Sequence, residues 1–136
     1  MKLIRASFQN FRLLRDLHVD FSTNADKNLT VIRAQNETGK TTILNALQWG
    51  LYGDIALPGR GRDYRIFPID WDPDKGSQVP ISVTVEYETT WVRTTAKGMI
   101  ESRTQYRIVR SVLEDIDPTK KRPEPTVELY ELTSAG

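Results

Sequence analysis

The residues best suited to chemistry stand together at Ala34-Gln35-Asn36-Glu37-Thr38-Gly39-Lys40-Thr41. An Ala or Gly, four variable residues, Gly-Lys and a hydroxyl residue make up the phosphate-binding P-loop pattern. Such a loop works by convergence. Its backbone N–H groups wrap phosphate oxygens, and the helix that follows adds unpaired N-terminal donors and the positive end of its dipole. On this pattern Asn36, Glu37, Thr38 and Gly39 form the cradle. Lys40 brings a point charge to the β- and γ-phosphates, and the Thr41 hydroxyl completes a Mg²⁺ shell otherwise made of phosphate oxygens and water. Thr42 is set to meet the α-phosphate. The expected ligands are ATP and Mg²⁺. Ala34 stands where Gly is commoner, and Glu37 brings negative charge near the phosphates. The bland alternative is a strand–turn–helix with an exposed lysine.

A P-loop alone hydrolyses nothing. Most such enzymes add an apolar strand ending in Asp, often followed by a catalytic Glu. Residues 66–70 (Ile-Phe-Pro-Ile-Asp) contain Pro68, which disfavours a central strand. Residues 112–115 (Val-Leu-Glu-Asp) have two apolar residues before the acids. No Ser-Gly-Gly signature and no Asn-Lys-x-Asp guanine motif is present. The pattern is that of the front half of an ATP site, with no catalytic carboxylate to name.

The elements that must position the motif can be read around it. Residues 29–33 (Leu-Thr-Val-Ile-Arg) form a short β-branched run that delivers the loop. From Thr41 the period becomes helical, with Ile43, Leu44, Leu47 and Leu51 on one face, Ala46 beside them and Gly53 as the stop. Upstream, Ile4, Ala6 and Phe8 share a face, and Leu17, Val19 and Phe21 alternate with His18 and Asp20, which leaves His18 solvated. Downstream, residues 53–78 hold four Gly and three Pro and show no period. A stretch of that kind tends to be functional or mobile, with Phe67, Ile69 and Trp71 expected to pin its second half. Residues 79–87 alternate most clearly, with Val79, Ile81, Val83, Val85 and Tyr87 pointing one way. Residues 100–113 read as the partner strand, carrying Ile100, Tyr106, Ile108 and Val112 on one side, with Lys97-Gly98 as the turn. Residues 115–125 read as loop and 126–132 as a last strand.

The expected fold class is α/β, a mixed sheet around one P-loop helix plus an antiparallel β layer. Residues 1–53 hold strands, motif and helix, 54–78 a long basic loop, and 79–136 the antiparallel region. The 136 residues suit one domain that buries roughly 65–70% of its unfolded surface. Lys plus Arg number 19 and Asp plus Glu 18, so any basic site must be a local patch. The absence of Cys excludes disulfide scaffolds and thiolate metal sites, and a single His leaves Ser-His-Asp chemistry poorly supported. No apolar run is long enough to span a membrane, and the first five residues lack a signal-peptide block. The expectation is a cytoplasmic chain with no membrane partner.

The motifs in order are Asn10-Phe11-Arg12, then Asn36-Glu37-Thr38-Gly39-Lys40-Thr41-Thr42, then Ala46-Leu47-Gln48-Trp49 leading to Leu51-Tyr52-Gly53. Together they resemble the N-terminal lobe of SMC-like ATPase heads of the ABC type. That group includes the repair ATPase partnered with the Mre nuclease, RecF and RecN. Within it the chain looks most like the DndD-like ATPases of phosphorothioation-dependent restriction. The resemblance implies a split head, in which a coiled coil and a C-terminal lobe carry the signature and the catalytic carboxylates. It also implies a homodimer of two heads closing on two ATP molecules, DNA as a partner, and a nuclease or other DNA-processing subunits. On this reading the chain, which reaches Gly136 without a glutamine loop or heptads, is a fragment that turns over little or no ATP alone. The alternatives are a small self-contained nucleotide kinase or GTPase, and a binding module with a vestigial loop.

Three basic features each admit two readings. By resemblance Arg12 lies near the nucleotide pocket or DNA; otherwise it is a surface residue in a turn. Arg60, Arg62 and Arg65 sit on the long loop, either solvated or contacting phosphate, and are expected to be loose without ligand. Lys120-Lys121-Arg122, flanked by Pro118 and Pro123, reads as a solvated loop rather than a binding patch. Trp49, Trp71 and Trp91 read as packing residues.

Overall fold

The computed structural model describes residues 1–21, 40–59 and 64–132. Five strands, β1 (Lys2–Phe11), β2 (Leu14–Asp20), β3 (Gln78–Thr95), β4 (Gly98–Asp115) and β5 (Thr126–Leu132), form one antiparallel sheet in the order β2-β1-β3-β4-β5. One helix, α1 (Lys40–Tyr52), lies across it. The chain combines helix and sheet as expected, but among the described residues the antiparallel region also takes in the upstream hairpin. β1 pairs directly with β3, so the upstream hairpin and the downstream strands make a single layer. The expected strand at 29–33 lies outside the described residues.

The two-residue period sorts the sheet into two faces. Ala6 and Phe8 of β1, Val79, Ile81, Val83 and Val85 of β3, and Ile108 and Val112 of β4 are buried on the face that α1 covers. The expected Ile4 does not join them. The β1–β3 register shifts between Leu3 and Arg5, and Leu3 packs against the core instead. The opposite face is polar. It carries an alternating row, Asp20–Arg5–Glu86–Arg107, with one residue from each of four neighbouring strands in register. The inner contacts are the closer ones, Arg5 to Glu86 at 3.1 Å and Arg107 to Glu86 at 2.8 Å.

α1 ends where the sequence places it. Gly53 has φ +84° and its N–H donates to the Trp49 carbonyl, the left-handed stop that a glycine makes at least cost. Its buried stripe differs from the expected one. Ala46, Trp49 and Gly50 are fully buried, Ile43, Leu47 and Leu51 pack partly, and Leu44 is 54% exposed. Gly50 explains the shift, because a Cβ there would lie 2.6 Å from Val83 Cγ1. The helix backbone rests directly on β3. That close approach sets the rotation of the helix, and Leu44 falls outside the contact.

Candidate phosphate-binding site

Asn36, Glu37, Thr38 and Gly39 lie outside the described residues, as do Arg60 and Arg62. What can be placed is the frame around the motif. α1 begins at Lys40, Thr41 is exposed and Thr42 half-buried in its first turn, and that turn holds no acidic residue. The first four N–H groups of a helix have no partner within it. The positive end of the helix dipole lies at this turn, and it favours negative charge.

Asn10-Phe11-Arg12 builds the wall beside this helix, one residue per neighbour. The Asn10 side chain donates to the Pro80 carbonyl on β3 at 2.8 Å. Phe11 is fully buried with its ring 5.8 Å from that of Trp49 on α1. Arg12 donates through its backbone N–H to the Ile66 carbonyl and through Nε to the Arg65 carbonyl, each at 2.7 Å. Its guanidinium lies 3.9 Å from the centre of the Tyr64 ring, a cation–π contact. The Tyr64 hydroxyl in turn meets the Asn45 amide at 3.3 Å. Asn45 stands one turn beyond Thr41, about 6 Å along the axis. Arg12 is therefore joined through Tyr64 to the early turns of the helix that carries Lys40, Thr41 and Thr42. Arg12 thus lies in the turn between β1 and β2, half-buried, and is held there by partners on the 64–66 segment.

A second cluster closes the other end of the helix, and sequence reasoning missed it. The Arg122 and Glu114 side chains are both 0% exposed, and Arg122 Nη1 donates to Glu114 Oε2 at 2.6 Å. The same nitrogen donates to the Tyr64 carbonyl, and Nη2 lies 3.4 Å from Asp54 Oδ1. Glu114 Oε1 accepts the N–H groups of both Ile66 and Phe67 at 2.9 Å. Asp54 Oδ1 also accepts from Trp49 Nε1 at 2.9 Å. The expectation of a solvated Lys120-Lys121-Arg122 loop is thus corrected at Arg122. A buried guanidinium needs carboxylates and carbonyls around it, and those of Asp54 and Tyr64 come from far along the chain, beyond any local pattern. The local signal that existed was Glu114, an acid on the inward register of β4 opposite Val79.

Residues 64–78 are more tied down than their composition suggests. Arg65 donates to the carbonyls of Pro118, Lys120 and Asp117 at 2.8, 3.4 and 3.5 Å. It is anchored rather than loose. Ile66 and Pro68 are fully buried, and Phe67 and Trp71 pack against the core as expected. Ile69 does not, being 91% exposed. Arg110 projects from β4 beneath the last turn of α1, where its Nε meets the Gly50 carbonyl at 3.3 Å. Burial lowers its pKa, partly offset by the charge of Asp54.

The acids at 66–70 and 112–115 all have partners in the fold. Both Glu114 oxygens are occupied, and Asp115 accepts from the Asp117 N–H and pairs with Lys120. Asp70 pairs with Arg15. Ser7, His18 and Asp16 make contacts reminiscent of a nucleophilic triad, Ser7 Oγ to His18 Nδ1 at 2.7 Å and Nε2 to Asp16 at 3.5 Å. They stand on the open sheet face with His18 and Asp16 exposed, as expected of a solvated histidine.

The family model described as AAA domain, AAA_23, matches residues 5–133, nearly the whole chain. The chain belongs to this AAA domain family. Membership makes it a P-loop ATPase-family domain of nucleotide-binding type, in which Mg²⁺ typically accompanies the nucleotide. No curated protein matches the chain. Among the described residues no helix is long and apolar enough to cross a membrane.

Proposed function

We propose that this AAA_23 chain is the ATP-binding N-terminal lobe of an SMC-like ATPase head that serves DNA metabolism, in repair or in phosphorothioation-dependent restriction of the DndD type. The observation that carries the reading is the joining of Asn10-Phe11-Arg12 to the motif-bearing helix through Tyr64 and Asn45. It sets a guanidinium beside the early turns of α1, where a nucleotide phosphate would be held. Lys40, Thr41 and Thr42 with Asn36, Glu37, Thr38 and Gly39 would hold Mg²⁺-ATP, and Arg12 would face its phosphate end. Hydrolysis would need carboxylates and a signature from a C-terminal lobe and a second head, since the acids seen here are committed to structure.

Titration calorimetry with Mg²⁺-ATP tests this. Charge-assisted bonds contribute about 1.5–3 kcal/mol each, so Lys40→Ala should weaken binding roughly 10- to 150-fold. Equal affinity in the two proteins, with unchanged circular dichroism, would refute the assignment. A preference for GTP, or steady-state hydrolysis at about 1 s⁻¹ or faster, would favour the self-contained kinase or GTPase.

A further inference from the structure

β3 and β4 are 18 residues each, but their neighbours are shorter. Among the described residues the β1–β3 pairing reaches Glu88, and the β4–β5 pairing reaches Gln105. Residues 89–104 therefore run on as a two-stranded ribbon, paired only with itself among the described residues from Thr89↔Thr104 to Thr95↔Gly98. Seven residues per strand carry it about 24 Å beyond the sheet. Two strands alone bury little of their own surface, so both faces of the ribbon are open to a partner.

The ribbon's charge is one-sided in sign and two-sided in placement. It carries Arg93, Lys97 and Arg103 against one acid, Glu101. Arg93 lies on one face, in register with Ile100. Arg103 lies on the other, in register with Thr90, and Lys97 is in the turn at the tip. All three are exposed, and the ion pair of Arg103 with Glu101, at 3.4 Å, is open to solvent. Six Thr and Ser hydroxyls (Thr89, Thr90, Thr94, Thr95, Ser102, Thr104) lie between the charges, and the exposed apolar residues are split between the faces, Trp91 and Ile100 on one and Val92 and Met99 on the other. A flat protein-docking face would gather its apolar residues on one side. Cations on both faces and at the tip match instead a groove with an anionic wall on either side. The major groove of a duplex, about 12 Å wide, admits a two-stranded ribbon.

We propose that residues 89–104 are a contact arm for duplex DNA, with Arg93, Lys97 and Arg103 on backbone phosphates and the hydroxyls and Trp91 against sugars and base edges. The choice of DNA as the polyanion rests on the DNA-metabolism reading above. The contact itself is separate from the ATP site. The mode is positioning on the backbone, with little sequence preference.

The test is fluorescence anisotropy of a labelled duplex with the full chain across a salt titration, alongside Mg²⁺-ATP calorimetry. Removing one phosphate-bound cation lowers the slope of log K against log salt by about 1. Arg93→Ala/Lys97→Ala/Arg103→Ala should therefore reduce the slope by about 3 units, and Arg93→Ala alone by about 1, with ATP affinity unchanged. Glu101→Ala should bind more tightly than the starting protein. The single variants keep the test usable if the triple variant fails to fold. A slope unchanged in all variants overturns the arm. So does a parent chain that binds ATP but no duplex at low salt, which leaves the ATP-lobe reading standing. A chain that binds duplex through the arm but no ATP sinks the ATP-lobe reading and keeps the arm. If Trp91→Ser and Met99→Ser convert a dimer to monomer in sedimentation while the salt slope stays fixed, the ribbon is a protein-docking element and the proposal fails.

Discussion

The two ends of the β3–β4 pair differ in what they do with cations: one buries Arg122, although Lys120 and Lys121 beside it stay exposed, and the other leaves all three of its cations in water. At the end near Gln78 and Asp115, segments 64–71 and 117–122 wrap the sheet, and Arg122 disappears beneath them. At the other end Arg93, Lys97 and Arg103 remain in water on a ribbon that nothing else in the described residues supports. Local sequence hardly separates the two groups. What separates them is topology. β4 brings Glu114 inward under the wrapped end, α1 ends at Gly53 so that Asp54 arrives there too, and the two acids hold one guanidinium. The bare end offers a single, exposed acid. The fate of a cation in this fold is decided by which carboxylates the strands deliver to it.

The largest effect should come from Arg122→Met. It leaves Glu114 and Asp54 as buried acids without their cation, and breaking such a cluster costs about 3–5 kcal/mol. Urea unfolding measures it. A loss as small as that of the exposed Arg93→Ala, within about 0.5 kcal/mol, would erase the distinction between the ends.

Gly50→Ala should cost less, about 1–3 kcal/mol, because its Cβ must push Val83 off the helix. Adding Val83→Ala opens room and should make the Gly50→Ala step less costly in a double-mutant cycle. Strict additivity would show that the contact does not seat α1.

The smallest effect is in pH dependence. The Asp117 carboxylate accepts from the Thr119 N–H and hydroxyl, and these bonds hold its pKa below the ordinary 3.8. A lowered folded-state pKa gives stability that is present above the unfolded value and lost as pH falls through the folded one. The melting temperature of the parent chain should therefore exceed that of Asp117→Asn by a constant margin near neutrality, and the margin should shrink below pH 3.8. A margin that persists in acid would mean the turn does not depend on the charge.

Much of the sheet was legible because alternation is a local signal. Val79 to Tyr87 and Ile108 with Val112 fall on the core face as expected, and β5 occupies 126–132. The strands run longer than the apolar pattern, since residues 88–95 and 98–104 pair without burying a face. The turn is at Ala96-Lys97, one residue before the expected Lys97-Gly98. The helix limits were legible from the motif and Gly53, but its buried stripe was not, because Gly50 carries no apolar signal and yet makes the closest approach. Around the candidate site, Asn10-Phe11-Arg12 was visible as a motif, whereas Tyr64 and Asn45, which link it to the helix, had no pattern to reveal them. The Arg122 cluster was hidden for the same reason, its members being brought together only by the fold.

The hairpin turn of Asn10-Phe11-Arg12 also bears on the order in which the chain assembles. Asn10 and Arg12 hold φ of +56° and +49°, a region that residues other than glycine occupy at a cost unless their surroundings hold them there. The bonds that hold them reach Pro80 and Arg65, 70 and 53 residues along the chain. β1 and β2 are adjacent in sequence, but the geometry of their turn becomes favourable only once β3 and the 64–66 segment have arrived. A local hairpin is thus made to wait for distant contacts, which shifts its completion toward the slow, late side of folding.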